Sequence, residues 1–391
     1  NLYNMKKLGY LMGAALLTLG SCTNEINEEG FVDKANTISF NAYSNKTRAV
    51  TGDVTSENMK NDNFGVVGYN GNSIYLGSSN AAIQQTWKAD ENVTGGGSWE
   101  YITQSDLKFW PSSGTMQFFA YFPFSDNATF SESISENGTV MTIPNLTCNH
   151  DVLFASTNSL SYQERVPLTF YHAFSKIESL NVEIKGGNVE SAGGSIEIQK
   201  VEFINTSTSG SVLVDNSGIA SYTAASPNVT LSKDFTSSTK TVNSTSKTAE
   251  LINNTDKAEG YIFATNSSSS ATNNVKGTEK SLWNGTKEVL NNSTLSNGNF
   301  ACLKLTCRVK DNTHYLVGSD SSFGDMYIPL TGTDSNHSEI TSFIAGKRYK
   351  YNIVWEHNVG FTDAGDPILK PILFNVSSVT GWEDVTVTIT L

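Results

Sequence analysis

From Asn36 onward the chain alternates apolar and polar positions with a period of two. Ile38, Phe40 and Ala42 fall on one side and Ser39, Asn41 and Tyr43 on the other, the pattern of a half-buried strand. The same alternation predicts strands over Phe64 to Tyr69, Met116 to Tyr121, Thr139 to Ile143, Asp151 to Ala155, Val166 to Tyr171 and Lys176 to Ile184. A second group covers Ser195 to Ile204, Gly210 to Val214, Lys257 to Ala264, Phe300 to Val309, His314 to Val317, Asp325 to Leu330, Lys347 to Trp355 and Val385 to Leu391. Gly114, Pro123, Asn137-Gly138 and Gly186-Gly187 supply turns between them. No long segment keeps a 3.6-residue period, so helices should be few. The expected fold is all-β, with the two groups of strands forming tandem β-sandwiches over 36–175 and 176–391. Between Asn205 and Asn299 much of the sequence is Ser, Thr and Asn, which predicts long loops or ragged strand ends that bury little.

The first residues have a different pattern. Met5-Lys6-Lys7 provides positive charge, and Leu8 to Leu19 an apolar run too short to span a bilayer; Leu19-Gly20-Ser21-Cys22 follows as a small-residue cleavage site. Residues 1–21 therefore read as a secretory signal. The terminal cysteine resembles the bacterial lipobox, which implies lipidation of Cys22; an ordinary signal peptide with an incidental cysteine is the alternative. Acyl chains on Cys22 would hold the protein to a membrane at about 0.8 kcal/mol per buried methylene. Residues 22–35, rich in Glu and Asn, read as an acidic flexible tether. This tether resembles the signal that carries lipoproteins of Bacteroidetes to the cell surface, though a merely solvated linker has the same composition.

Composition narrows the chemistry. Charged residues make up 16% of the 391, and 26 Lys and Arg stand against 38 Asp and Glu, a formal net charge of -12 that disfavours nucleic acid as a partner. The five histidines are nowhere at metal-ligand spacing, and no G-x-S-x-G elbow or ordered nucleophile, histidine and acid is present. No catalytic residue, metal or cofactor is expected; a surface hydrolase with carboxylates paired only in three dimensions is a distant alternative. The turn from Phe361 to Pro367 carries Asp363 and Asp366 but lacks the oxygen ligands of a calcium loop. Beyond Cys22, three cysteines remain (Cys148, Cys302, Cys307). The last two lie five apart in one strand, on opposite faces, so buried thiols are expected rather than a bridge between them. Phe109-Trp110-Pro111 and the aromatic run Met116 to Pro123 read either as a sugar-stacking platform or, more simply, as a core strand and its corner.

Several blocks, taken in order, resemble the fimbrillins of Bacteroidales, the Mfa-like and FimA-like subunits of type V pili. They are Phe109-Trp110-Pro111, Phe119-Ala120-Tyr121-Phe122-Pro123, Asp151 to Ala155, Val166 to Lys176, Phe343 to Tyr351 and Val379-Thr380-Gly381-Trp382. The resemblance implies two transthyretin-like β-sandwich domains and export as a lipoprotein to the outer membrane. It also implies that an arginine-specific protease cuts near the first strand, after which a strand from the next subunit fills the vacated groove. The matching bond is Arg48-Ala49, and cutting there would release Asn36 to Tyr43; a solvated arginine in a turn is the alternative.

The physics of exchange stands apart from the resemblance. A sheet that loses a strand exposes an apolar groove and unpaired backbone groups that another extended segment can satisfy. Val385, Val387, Ile389 and Leu391 share one face of such a segment, with a gross driving force of roughly 6–12 kcal/mol before ordering costs. That strand either serves a neighbour or closes its own domain. The sequence therefore points to a structural subunit of surface fimbriae, partnered by other subunits and by a host or bacterial surface ligand. A lipid-anchored adhesin or glycan-binding protein that does not polymerise is the alternative.

Overall fold

A computed structural model describes residues 36–44, 53–185, 194–225, 231–255, 257–265, 273–278, 280–287, 294–295, 298, 300–311, 314–333, 339–355, 360–366, 368, 373–377 and 383–390. The body considered below is Ile38–Leu391. The signal and tether, 1–35, lie outside the described residues.

The first sheet contains β1 (Phe40–Ser44), β2 (Phe64–Asn70), β3 (Ser73–Leu76), β4 (Ile83–Ala89), β5 (Gly97–Tyr101), β6 (Met116–Phe122), β9 (Leu153–Ser156) and β10 (Val166–His172). Their order is β3-β2-β4-β5-β1-β10-β9-β6, and β6 pairs back onto β2 from Gly65↔Tyr121 to Asn70↔Met116, which closes the sheet into a ring. Inside the ring sit Phe64 and Val66, Phe118 and Ala120, Leu153, Leu168 and Phe170. Val67, Tyr69, Phe119 and Tyr121, at the other parity, are also buried. Burial on both faces explains why Met116 to Phe122 reads as a continuous apolar run. Glycines make the crowding tolerable: a Cβ on Gly65 would sit 2.4 Å from Tyr121 Cε1, and one on Gly68 2.9 Å from Phe118 Cε1.

A second sheet covers that outer face. It is built from β7 (Thr129–Phe130), β8 (Thr139–Leu146), β13 (Gly210–Asp215) and β14 (Ala220–Ala224) in the order β14-β13-β8-β7. Val212↔Ile143 and Val214↔Met141 are paired in it, so hydrogen-bonded strands cross the expected division at 175 and 176. Its core includes Val140, Ile143, Val212 and Phe263 beside Phe119 and Tyr121.

The remaining chain forms two facing sheets. One holds β11 (Ser175–Ile184), β17 (Thr248–Asn253), β18 (Tyr261–Ile262), β25 (Lys347–Trp355), β26 (Leu373–Ser377) and β27 (Glu383–Thr390), ordered β17-β11-β25-β27-β26 with β18 on β11. The other holds β12 (Ser195–Ile204), β15 (Leu231–Asp234), β16 (Lys240–Asn243), β19 (Ser281–Leu282), β20 (Phe300–Asp311), β21 (His314–Val317) and β22 (Gly324–Ile328). Their shared core joins Leu180, Val182, Tyr351 and Trp355 to Ile196, Phe203, Leu303 and Leu305. A register shift between Ile198 and Lys200 changes the parity of β12, so that Ile196 and Ile198 and then Val201 and Phe203 all face inward. A short ladder of β23 (Gly332–Thr333) and β24 (Glu339–Ile340) completes the structure.

The Ser/Thr/Asn-rich stretches between Asn205 and Asn299 contain the strands β14 to β17 and β19, whereas β18 falls within the expected strand Lys257 to Ala264. Lys240–Asn243 and Thr248–Asn253 are mostly polar, yet Val242, Leu251 and Ile252 are buried, because one inward side chain in two or three is enough to seat a short strand. The all-β expectation holds, and the described residues contain only short 3₁₀ turns at Asn58–Asn61, Gln104–Asp106 and Phe124–Asp126.

Candidate functional site

The strand that alternation placed at the start of the fold is β1. It runs parallel to β10 from Phe40↔Val166 to Ser44↔Phe170, and on its other side it meets β5 at the single pair Phe40↔Trp99. It is therefore zipped along one side and touches the other at one point. Ile38 and Phe40 are fully buried, Ala42 is half-buried, and Asn41 and Tyr43 face solvent. Phe40 sits in an aromatic box with ring centroids 5.5 Å from Phe118, 6.1 Å from Phe64 and 6.5 Å from Tyr101. The entry of the strand is held by backbone bonds. The Ile38 amide donates to the Lys108 carbonyl at 2.9 Å, its carbonyl accepts from the Tyr101 hydroxyl at 2.9 Å, and the Val166 amide donates to the Ser39 carbonyl at 2.7 Å. Burial pushes the Tyr101 phenol well above its ordinary value. Ile38 and Phe40 contribute about 3–6 kcal/mol of gross burial. A groove emptied of them would present Phe64, Tyr101, Phe118 and one unpaired edge of β10.

Arg48 and Ala49 lie within 45–52, outside the described residues, as does Cys22. The points flanking that stretch are anchored. On one side the Ser44 amide donates to Ser56 Oγ at 2.9 Å. On the other, Asp53 enters a buried cluster of charges that sequence reading did not reveal. Its Oδ1 accepts from Lys176 Nζ at 2.7 Å and from the Tyr261 hydroxyl at 2.8 Å, and its Oδ2 lies 3.5 Å from Arg348 Nη1. Arg348 Nε is 3.3 Å from Glu178 Oε2, and Lys350 Nζ 3.3 Å from Glu178 Oε1. The adjacent Asp151 Oδ2 accepts from the Val54 amide and lies 2.9 Å from His172 Nδ1. Asp53, Lys176, Glu178 and Arg348 are all buried. Desolvation, followed by the charge of Asp151, raises the Asp53 carboxyl above its ordinary 3.8 against the pull of Lys176. The signal for this cluster was a break in strand patterning, since Lys176, Glu178 and Arg348 stand where buried residues fall.

At the C-terminus β27 lies between two partners, parallel to β25 from Lys347↔Glu383 to Val354↔Thr390 and antiparallel to β26. Val385, Val387 and Ile389 are thus paired opposite Tyr349, Tyr351 and Ile353, while Leu391 lies outside the described residues. β26 ends the sheet and pairs with β27 alone among the described residues.

The other sequence candidates are accounted for singly. Cys148, Cys302 and Cys307 are buried free thiols whose ionisation desolvation opposes. Asp366 is paired with Lys287 at 2.5 Å. Met116 to Phe122 is core, whereas its corner leaves Phe109 and Tyr162 43% and 52% exposed around Trp110.

Comparison with known proteins follows the same line. The fimbrillin-like family matches residues 47–365. Among solved structures, a fimbrial protein from Bacteroides vulgatus is 15% identical, covers 90% of this chain and 98% of its own, and superposes with a TM-score of 0.43. A fimbrilin from Porphyromonas gingivalis is 13% identical, with coverage of 92% and 98% and a TM-score of 0.35. No curated protein matches. The match over 47–365, most of the chain, shows that this all-β protein belongs to the fimbrillin-like family of non-enzymatic fimbrial subunits.

Proposed function

We propose that this chain is delivered to the outer membrane as a lipoprotein acylated at Cys22, is cut at Arg48-Ala49, and joins a surface filament by strand exchange. The observation that carries the reading is β1, whose Ile38 and Phe40 are buried in an aromatic box while its backbone is laddered along one side. Such a strand is held firmly enough to complete the precursor fold, yet its release breaks one ladder, the pair with Trp99 and the few bonds at its two ends to Lys108, Tyr101 and Ser56. Asp53, which follows the proposed cut, is tied to the body through Lys176, so the chain beyond the cut stays in place when the ribbon leaves and the Ser44 amide gives up Ser56. The neighbour's segment then restores both the apolar burial and the β10 ladder. Other fimbrial subunits are the direct partners, and adhesion to a host or bacterial surface is the task of the assembled filament.

Limited trypsin digestion of the full chain, followed by size-exclusion chromatography with light scattering, tests this. The expected result is an early cut after Arg48 and multimers that grow with concentration. A chain cut there that stays monomeric at every concentration refutes strand exchange. The exposed Phe109 and Tyr162 favour, as a second reading, an adhesin contacting glycans through that corner. Glycan titration of the uncut monomer, followed by tryptophan fluorescence, tests that reading.

A further inference from the structure

Exposed apolar side chains are not scattered evenly over this molecule. Among the described residues the large ones are Tyr43, Val93, Ile102, Phe109 and Tyr162. Three of these, Ile102, Phe109 and Tyr162, stand on the segments that hold the entry of β1. Ile102 follows Tyr101, whose hydroxyl donates to the Ile38 carbonyl at 2.9 Å. Phe109 follows Lys108, whose carbonyl accepts from the Ile38 amide at 2.9 Å. Tyr162 lies just before Glu164, whose carbonyl accepts from Ser39 Oγ at 2.8 Å. Trp110 ties this rim to the core, with its ring centroid 5.9 Å from Tyr162 and 6.0 Å from Phe118. Lys108, Glu164 and Arg165 are exposed beside the three, so the apolar rim has a fringe of mixed charge.

We propose that this rim rests on a lipid surface while the precursor is anchored, so that β1 runs away from the membrane and holds its Ser44 end outward. The inference rests on the acylation of Cys22 proposed above and adds the face by which the body meets the bilayer.

The place of attachment favours this occupant. Cys22 stands sixteen positions ahead of Ile38, at most about 55 Å of extended chain, and that chain joins the body at the rim itself. An anchored body therefore has the rim as its tethered end. A contact too weak to hold a free protein on a membrane is then populated, because the anchor has already brought the two surfaces together. The chemistry also suits a bilayer better than a sugar. Glycan stacking asks for a flat ring face, whereas Trp110 and Tyr162 meet at 64° and Ile102 has no ring at all. The boundary between headgroups and acyl chains accepts aliphatic and aromatic groups alike, with charged side chains reaching the headgroups beside them. From Ile38 to Tyr43 the strand covers about 17 Å, which puts its far end clear of the acyl region and leaves the chain leading to Arg48 on the side away from the lipid.

The test uses the full chain, isolated with its acyl chains, in phosphatidylcholine vesicles whose lipid tails carry bromine as a quencher. Ser112→Cys beside the rim and Tyr43→Cys at the far end of β1 are exposed positions that each take a fluorophore, while Cys148, Cys302 and Cys307 are buried. The expected result is quenching several-fold stronger at position 112 than at position 43. That difference should vanish when Ile102→Ser, Phe109→Ser and Tyr162→Ser are combined, three exposed changes that leave the chain floating with the vesicles. Floating chains quenched equally weakly at both positions overturn the contact and leave acylation standing. Strong quenching at both overturns the outward heading of β1, and quenching that survives the triple variant overturns the part given to the rim. A chain whose Cys22 carries no acyl mass and that does not float overturns acylation and the contact together.

Discussion

Replacing Asp53 tests whether the buried charge cluster anchors the chain beyond the proposed cut. Asp53→Ala removes a carboxylate that receives Lys176 at 2.7 Å and Tyr261 at 2.8 Å and faces Arg348 at 3.5 Å, all in the interior. Lys176 would keep the Lys257 carbonyl, 2.7 Å away, but no carboxylate within direct contact among the described residues. Removing one partner from a buried ion pair costs about 3–5 kcal/mol, because the remaining charge is left uncompensated. Asp53→Asn should cost clearly less, since its carboxamide oxygen can still accept from Lys176 and Tyr261. The site also favours a neutral group there, as desolvation already raises the carboxyl above 3.8. By linkage, protonation of Asp53 stabilises the wild-type fold as pH drops through that raised value while Asp53→Asn has no such gain, so acid should widen the gap between the two. Combining Asp53→Ala with Lys176→Met should recover much of the loss, because both charges then leave together. Urea denaturation of the four chains at neutral pH, repeated in acid for wild type and Asp53→Asn and followed by tryptophan fluorescence, measures all of this. The reasoning fails if Asp53→Ala costs under about 1 kcal/mol, if Asn costs as much as Ala, or if the double variant is merely additive.

Three other substitutions probe the same architecture. Phe40→Ala should destabilise the precursor by about 3–5 kcal/mol in urea and, after nicking, hasten loss of the ribbon as seen by mass spectrometry of the filtrate. Gly65→Ala drives a methyl into Tyr121 and should cost about 1–3 kcal/mol in the same assay. His150 is hydrogen-bonded to Asp126, which raises its pKa above 6.5. Its contribution is full below 6.5 and is lost as pH climbs through the raised value, so urea midpoints should fall over that interval in wild type and more weakly in His150→Ala.

Much of this architecture was readable from alternation. Ser195–Ile204, His314–Val317 and Lys347–Trp355 begin and end where the pattern placed them. Alternation tells which way a side chain faces but not which strand lies alongside, so the pairing of Gly210–Asp215 with Thr139–Leu146 across the expected domain boundary was beyond it. Ile83–Ala89 escaped notice because most of its residues stay partly wet and only Gln85 is fully covered. The strand that begins the fold was legible through Ile38 and Phe40. The charge cluster was not, because Asp53 is far in sequence from Lys176, Tyr261 and Arg348, and a lone charge in a strand ordinarily marks a solvated face.

The parallel register of β1 on β10 has a consequence for any assembly built through this slot. Under the proposed strand exchange, an incoming segment that keeps the heading of β1 would run parallel to β10, and each subunit would offer one slot and one donor segment. Successive joints would therefore be head-to-tail contacts between unlike surfaces, which do not close on themselves as a symmetric pair does. The resulting fibre would have two chemically distinct tips, one with an unfilled cavity and the other with an unspent strand, so that capping or growth at each calls for a different partner.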